Sequence, residues 1–201
     1  IEKLVPRIEK LKVGPYTAGD DVDYGPVVTA AAKEKILGLV QSGVDQGAEL
    51  VVDGRNFSLQ GYDDGFFVGP HLFDKVTPDM DIYKQEIFGP VLSTVRAQSY
   101  DEALKLAMDH EMGNGTAIFT RDGDTARDFA SRVNVGMIGI NVPIPVPLAY
   151  HTFGGWKKSA FGDLNQHGPD AFKFYTRTKT VTSRWPSGLK EGGEFHFKAM
   201  D

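Results

Sequence analysis

The chain has 201 residues, 41% of them hydrophobic and 24% charged, which is the balance of a globular protein with apolar side chains enough for a substantial core. Its formal net charge of −5, with Lys and Arg scattered rather than clustered, excludes the electrostatic footprint of a nucleic-acid or anionic-membrane binder. Cysteine is absent, so disulfides, thiolate metal sites and thiol nucleophiles are removed from this chain together. The five histidines (His71, His110, His151, His167 and His196) never fall at the short helical spacing of a zinc motif, and no metal is expected. No run approaches bilayer length and the first residues lack the apolar core of a signal peptide, so the expected location is the cytoplasm.

In chain order, Ile1, Leu4, Ile8 and Leu11 recur at helical spacing from the first residue with no polar cap ahead of them, as in a chain entered partway through an element. Pro6 is compatible only with a first helical turn. Thr29 is placed to cap a helix in which Ala32, Ile36, Leu39, Val40 and Val44 form one apolar stripe, feeding a short strand from Leu50 to Val52. The Gly-, Asp- and aromatic-rich run from 54 to 76 predicts short strands and turns on a surface excursion.

The middle of the chain has the clearest pattern. "VLSTV" (91 to 95) predicts a strand; Ser99 and Glu102 form a capping box for a helix over 100–110; "TAIFT" (116 to 120) predicts a second strand. Asp122 or Asp124 then caps a helix with Ala126, Phe129, Ala130 and Val133 on one face, Gly136 closes it, and "MIGINV" (137 to 142) is a third strand. The expected fold class is therefore α/β, with a parallel β-α-β-α-β sheet and right-handed crossovers. Ligands gather at the carboxyl ends of such strands, where Asn141 lies.

Three alternating prolines stiffen the following loop, which reaches Gly154-Gly155, where the backbone bends sharply or approaches something closely. A loop of this length without regular structure is more often functional than idle. A short helix then precedes "TKTVTSRW" (178 to 185), a strand polar on both faces that needs a foreign sheet edge, most simply that of another subunit.

In "YKQEIFGPVLSTV" (83 to 95), Glu86 stands two residues before Phe88 and both run into a Gly-Pro turn. A carboxylate that accepts two vicinal hydroxyls, beside a ring that packs on a heterocyclic face, is what a nucleoside ribose asks for. A solvated carboxylate near a turn fits the same residues. "FGGWKKS" (153 to 159) lacks the GxxxxGK spacing of a phosphate loop and reads as a glycine turn with two solvated lysines. Neither Ser159 nor Ser183 has a base at meaningful spacing, so the residues alone offer a binding surface and no reaction.

The segments "EIFGPV" (86 to 91), "GNGTAIFT" (113 to 120), "VGMIGIN" (135 to 141), "FGGWKKS" and "FYTRTKTVT" (174 to 182), in this order, resemble the C-terminal part of the NAD(P)-dependent aldehyde dehydrogenase superfamily. The run from Asn141 to Gly188 is similar to the CoA-acylating, methylmalonate-semialdehyde branch, and "SAFGDL" replaces the Ser-Gly-x-Gly-Arg-Glu continuation of most other members. By that resemblance residues 1–176 are a partial, N-terminally truncated catalytic domain and 177–201 an oligomerisation strand and tail. Glu86 then binds the nicotinamide ribose of NAD, Phe88 packs beside the nicotinamide, Phe153 lines the substrate funnel, and Asn141 stands near its mouth. The partners implied are a small semialdehyde, CoA and a second copy of the chain joined through 177–185. The family reaction needs a thiolate nucleophile and a glutamate base, and both precede this region. The chain is therefore expected to hold no catalytic residue and to be inactive alone. An assembly module without chemistry, or a free-standing nucleotide-binding domain, are the competing expectations.

Overall fold

The computed structural model describes residues 1–19 and 21–185. The helix expected at the start is confined to one turn, α1 (Val5–Ile8), which carries Pro6 in its first turn as proline sterics allow and buries Ile8 alone. The Thr29 hydroxyl then accepts the Ala32 N–H at 3.1 Å and opens α2 (Ala30–Asp45). The apolar stripe of α2 buries Ile36, Leu39 and Val40 against a three-stranded sheet. In that sheet β1 (Glu49–Val52) runs antiparallel to β2 (His71–Asp74). After α3 (Asp81–Lys84), β3 (Val91–Ser93) returns parallel to β2 on its other side.

This corrects one expectation. Residues 71–74 are not surface excursion but the central strand, buried at all four positions. Phe73, fully enclosed, packs with Leu39, Val40, Met80 and Ile82. The aromatic density that suggested turns serves the core there.

The second half follows its caps. The Glu102 N–H donates to Ser99 Oγ at 3.2 Å and the Glu102 carboxylate accepts the Gln98 N–H at 2.6 Å, which starts α4 (Tyr100–Asp109). Beyond β4 (Met112–Gly113) and β5 (Gly115–Ile118), Asp122 caps α5 (Gly123–Arg132) through the Thr125 N–H, while Asp124 pairs with Arg127. β6 (Met137–Ile140) then lies parallel to β5 in register Gly115 to Met137. Leu104 of α4 and Phe129 and Val133 from α5 and its C-cap, with Val135, form a second core over this pair.

The β5-α5-β6 unit is thus the expected parallel crossover, but β3 pairs with β2 and β5 with β6, in separate ladders rather than one β-α-β-α-β sheet. Strand patterns fix which residues extend; partners come from the buried strand β2, which the pattern had assigned to the surface. Gly136 does not close α5 either, since Val133 is the C-cap. β7 (Trp156–Lys157) pairs antiparallel with β4, and α6 (Ala171–Tyr175) is the last helix. Residues 177–185 are exposed and join no ladder among the described residues, and the rest of the expected tail, 186–201, lies outside them. Among the described residues no helix is long and apolar enough to cross a membrane.

His71, at the head of β2, is 1% exposed and neither ring nitrogen has a hydrogen-bond partner among the described residues. Burial pushes its imidazole below the ordinary 6.5, against weaker opposing effects of the Asp53 carboxylate and the nearby Gly69 and Pro90 carbonyls. The neutral ring therefore contributes stability that is full above about pH 6.5 and is lost as pH falls from there toward the lower folded value, because the unfolded chain binds the proton first. Asp53, lowered to about 2 chiefly by its hydrogen bond from Arg55, and Asp74, held lower still by Arg96, lose their contribution only below about pH 4. Replacing His71 by Val is expected to flatten the melting-temperature profile in the window just below about pH 6.5 while leaving the steeper loss below about pH 4 in place. Identical slopes in the two proteins across the upper window contradict this reading.

Candidate functional site

The stretch from Gln85 to Pro90 is a turn assembled from fixed points. The Gln85 N–H donates to Asp81 O at 2.8 Å, so the turn begins on the last bond of α3. Ile87 inserts toward the core around Met80 and Ile82. Gly89 lies so close to α2 that a Cβ there would stand 2.6 Å from Ile36 Cδ1. Between these anchors Phe88 adopts φ +64°, the left-handed region that a bulky L-residue avoids. Holding it there costs about 1–3 kcal/mol, and the ring gains no burial in return, being 83% exposed. Lys35 Nζ donates to the Glu86 carbonyl at 3.3 Å, whereas the Glu86 carboxylate is exposed and has no hydrogen bond or ion pair among the described residues. The main chain of the turn is fastened, and its carboxylate and ring are presented outward.

Glu86 lines a cleft of about 480 Å³ together with His110, Asn114, Lys158 and Ser159. His110 ties parts of that lining together. The Met112 N–H donates to His110 Nδ1 at 3.1 Å, which places the ring proton on Nε2, facing the Tyr83 carbonyl at 3.1 Å. The Tyr83 ring stands edge-on to His110 and its hydroxyl donates to Leu106 O at 3.2 Å; burial pushes that phenol above its usual range.

The loop containing "FGGWKKS" contributes Lys158 and Ser159 to the cleft. A Cβ on Gly136 would lie 1.9 Å from the Gly154 carbonyl oxygen, so the two glycines permit a direct backbone-to-backbone approach. The close approach expected at Gly154-Gly155 is found, and Gly136 is its partner. The lysines are not merely solvated. Lys157 Nζ donates to Met108 O at 2.7 Å and His110 O at 3.0 Å, a positive charge on the C-terminal carbonyls of α4, which has no basic residue in its own last turn. Lys158 pairs with Glu111 and, through that hydrogen bond, holds the Glu111 carboxyl below its usual range. Ser159 Oγ accepts the Gly113 N–H at 3.0 Å.

The other sequence-predicted site residues lie outside this cleft. Asn141, at φ +58°, spends its side chain on Thr120: Oδ1 accepts the Thr120 N–H at 2.9 Å and Nδ2 donates to the Thr120 carbonyl at 3.0 Å. It clasps the carboxyl ends of β5 and β6. Phe153 is half-buried and stacks on His167, centroids 4.6 Å apart and planes 8° from parallel. Sequence reasoning missed Tyr83, His110 and Lys157, whose contacts with Leu106, Tyr83 and Met108 span 23 to 49 residues of chain and leave no local signal.

Comparison with known proteins bears on all of this. The sequence model of the aldehyde dehydrogenase family matches residues 1–181. A malonate-semialdehyde dehydrogenase of Pseudomonas aeruginosa is 57% identical over all 201 residues of this chain, which span 40% of that protein. The acylating, mitochondrial methylmalonate-semialdehyde dehydrogenase of Arabidopsis thaliana is 50% identical over 92% of the chain, corresponding to 30% of its own length. A Sinorhizobium meliloti protein described as a methylmalonate-semialdehyde dehydrogenase, solved in complex with NAD, superposes with a TM-score of 0.87 at 69% identity, over 94% of this chain and 38% of that one. The chain thus spans well under half the length of the relatives it matches, and it belongs to the aldehyde dehydrogenase family.

Proposed function

We propose that the chain is the cofactor- and substrate-positioning portion of an NAD-dependent, CoA-acylating semialdehyde dehydrogenase of the cytoplasm, converting malonate or methylmalonate semialdehyde, CoA and NAD to acyl-CoA, carbon dioxide and NADH. The observation that carries the cofactor assignment is the Glu86 carboxylate, lining the cleft and without a side-chain partner among the described residues, two residues before an exposed Phe88 held on a left-handed backbone. That donor set fits a nicotinamide nucleoside: Glu86 accepts the ribose hydroxyls and Phe88 packs on the ring. NAD, when bound, supplies the hydride acceptor. This chain's residues fix where that acceptor sits relative to the aldehyde carbon, a contribution of position rather than of proton transfer. Asn141 clasps the strand ends below the proline loop, and Phe153 is assigned to the substrate side on the same family pattern. With no cysteine in the chain, the thiolate nucleophile belongs to the remainder of the enzyme, and the segment alone is inactive.

Residues 177–185, exposed and without a ladder of their own, with Val181 77% and Trp185 89% exposed, favour addition of this segment to the sheet of a second copy. The test is an assay of the complete gene product with either semialdehyde. NADH and acyl-CoA are expected in equal amounts, from a species that sediments as an oligomer. Free acid formed without CoA contradicts the acylating assignment, and a monomer contradicts the assembly.

A further inference from the structure

The Glu86–Phe88 turn is held from outside by a helix the cofactor assignment does not use. Two consecutive residues of α2 touch it. Lys35 Nζ donates to the Glu86 carbonyl at 3.3 Å, 51 residues away in sequence, and the fully buried Ile36 presents Cδ1, Cγ1 and Cγ2 within 2.6 to 3.1 Å of where a Gly89 Cβ would stand. The first contact fixes the chain just before Phe88 and the second just after it. Phe88 sits between them at φ +64°, a conformation that persists only when its surroundings over-determine it. Within the turn itself only Ile87 reaches the core.

We infer that Lys35 and Ile36 are positioning residues of the cofactor site: α2 sets the height and tilt of the Glu86 carboxylate and the Phe88 ring. The inference rests on the cofactor reading above. Among the described residues the Lys35 ammonium engages the main-chain oxygen of Glu86 and not its carboxylate, which leaves the carboxylate available to a ligand while its backbone is held. Ile36 acts through contact with Gly89, whose φ lies outside the left-handed region. Alanine at 89 therefore adds no backbone strain, and its effect reports the contact with α2.

The experiment is made on the complete gene product with Lys35→Met, Lys35→Arg and Gly89→Ala, and with Glu86→Gln as reference. Amide hydrogen exchange over residues 83–91 reads the turn, and steady-state kinetics read KM for NAD against KM for the aldehyde. Lys35 is exposed, so its substitution does not threaten folding. Lys35→Met is expected to speed exchange at 86–89 and to raise KM for NAD about fivefold, as for the loss of one ordinary, solvent-exposed hydrogen bond, with KM for the aldehyde and the melting temperature unchanged. Arginine, which also donates from a charged head, is expected to restore both, and Gly89→Ala to move both in the direction of Lys35→Met. If Glu86→Gln weakens NAD but Lys35→Met and Gly89→Ala change neither readout, the positioning role is overturned and the cofactor assignment stands. If Glu86→Gln also leaves NAD unaffected, the assignment falls and takes this inference with it.

Discussion

Replacing Phe88 by glycine is expected to make the protein more stable and the enzyme worse. The ring is 83% exposed, so its removal forfeits little burial. The backbone at φ +64° is one that glycine adopts freely. Relief of the left-handed penalty, about 1–2 kcal/mol, exceeds the extra chain entropy of about 0.5–1 kcal/mol that glycine brings to the unfolded state. Hydride transfer in the complete enzyme is expected to slow by about 10- to 100-fold, because a nicotinamide without its packing surface spends less time in the attack geometry. Glu86→Gln keeps the shape of the side chain and removes its charge; the same step slows, and KM for the aldehyde holds. Chemical denaturation and single-turnover kinetics check both arms. A Phe88→Gly protein that is less stable and equally active contradicts the account, because Phe88 would then be a structural residue.

Gly136→Ala is expected to be the most damaging single methyl group in the second half of the chain. The added carbon would lie 1.9 Å from the Gly154 carbonyl oxygen, and that atom is main chain with no rotamer to yield. The cost is at the upper end of overpacking, about 3 kcal/mol, which for a domain of this size lowers the melting temperature by about 10 °C. Displacement of the loop also releases Lys157 from the α4 carbonyls and Ser159 from the Gly113 N–H, so part of the cleft lining is lost with it. Gly38→Ala provides the control. Gly38 sits on the exposed side of α2 with open space around its Cα, and alanine there is expected to stabilise by about 1 kcal/mol. A melting temperature for Gly136→Ala within about a degree of the parent contradicts the close approach.

The parts of this architecture legible in the sequence were those written locally. Thr29, Ser99 and Asp122 all cap as their spacing predicts, and the stripe from Ile36 to Val40 is buried. Strand partners were not local and were misread: His71 to Asp74 carries no alternation, since both its faces are covered, and an aromatic-rich run between glycines looks the same whether it crosses the core or the surface. Gly136 was read as a helix stop because a glycine after an apolar face usually is one; its actual partner, Gly154, is 18 residues on. In the candidate site the support of the proposed residues left no local signal. Glu86 and Phe88 are visible as a pair, but the strained φ of Phe88 is not, and the grip of Lys35 comes from α2, 51 residues earlier in the chain. Asn141 was legible as a strand-end residue, while the use of its amide to clasp Thr120 was not.

The most direct measurement is a crystal structure of the complete gene product with NAD bound, read at one contact. The account predicts the Glu86 carboxylate within about 3.2 Å of the nicotinamide ribose hydroxyls, with the Phe88 ring against the nicotinamide and its φ still positive. An ordered NAD whose ribose is held by other residues, with Glu86 facing solvent, contradicts it.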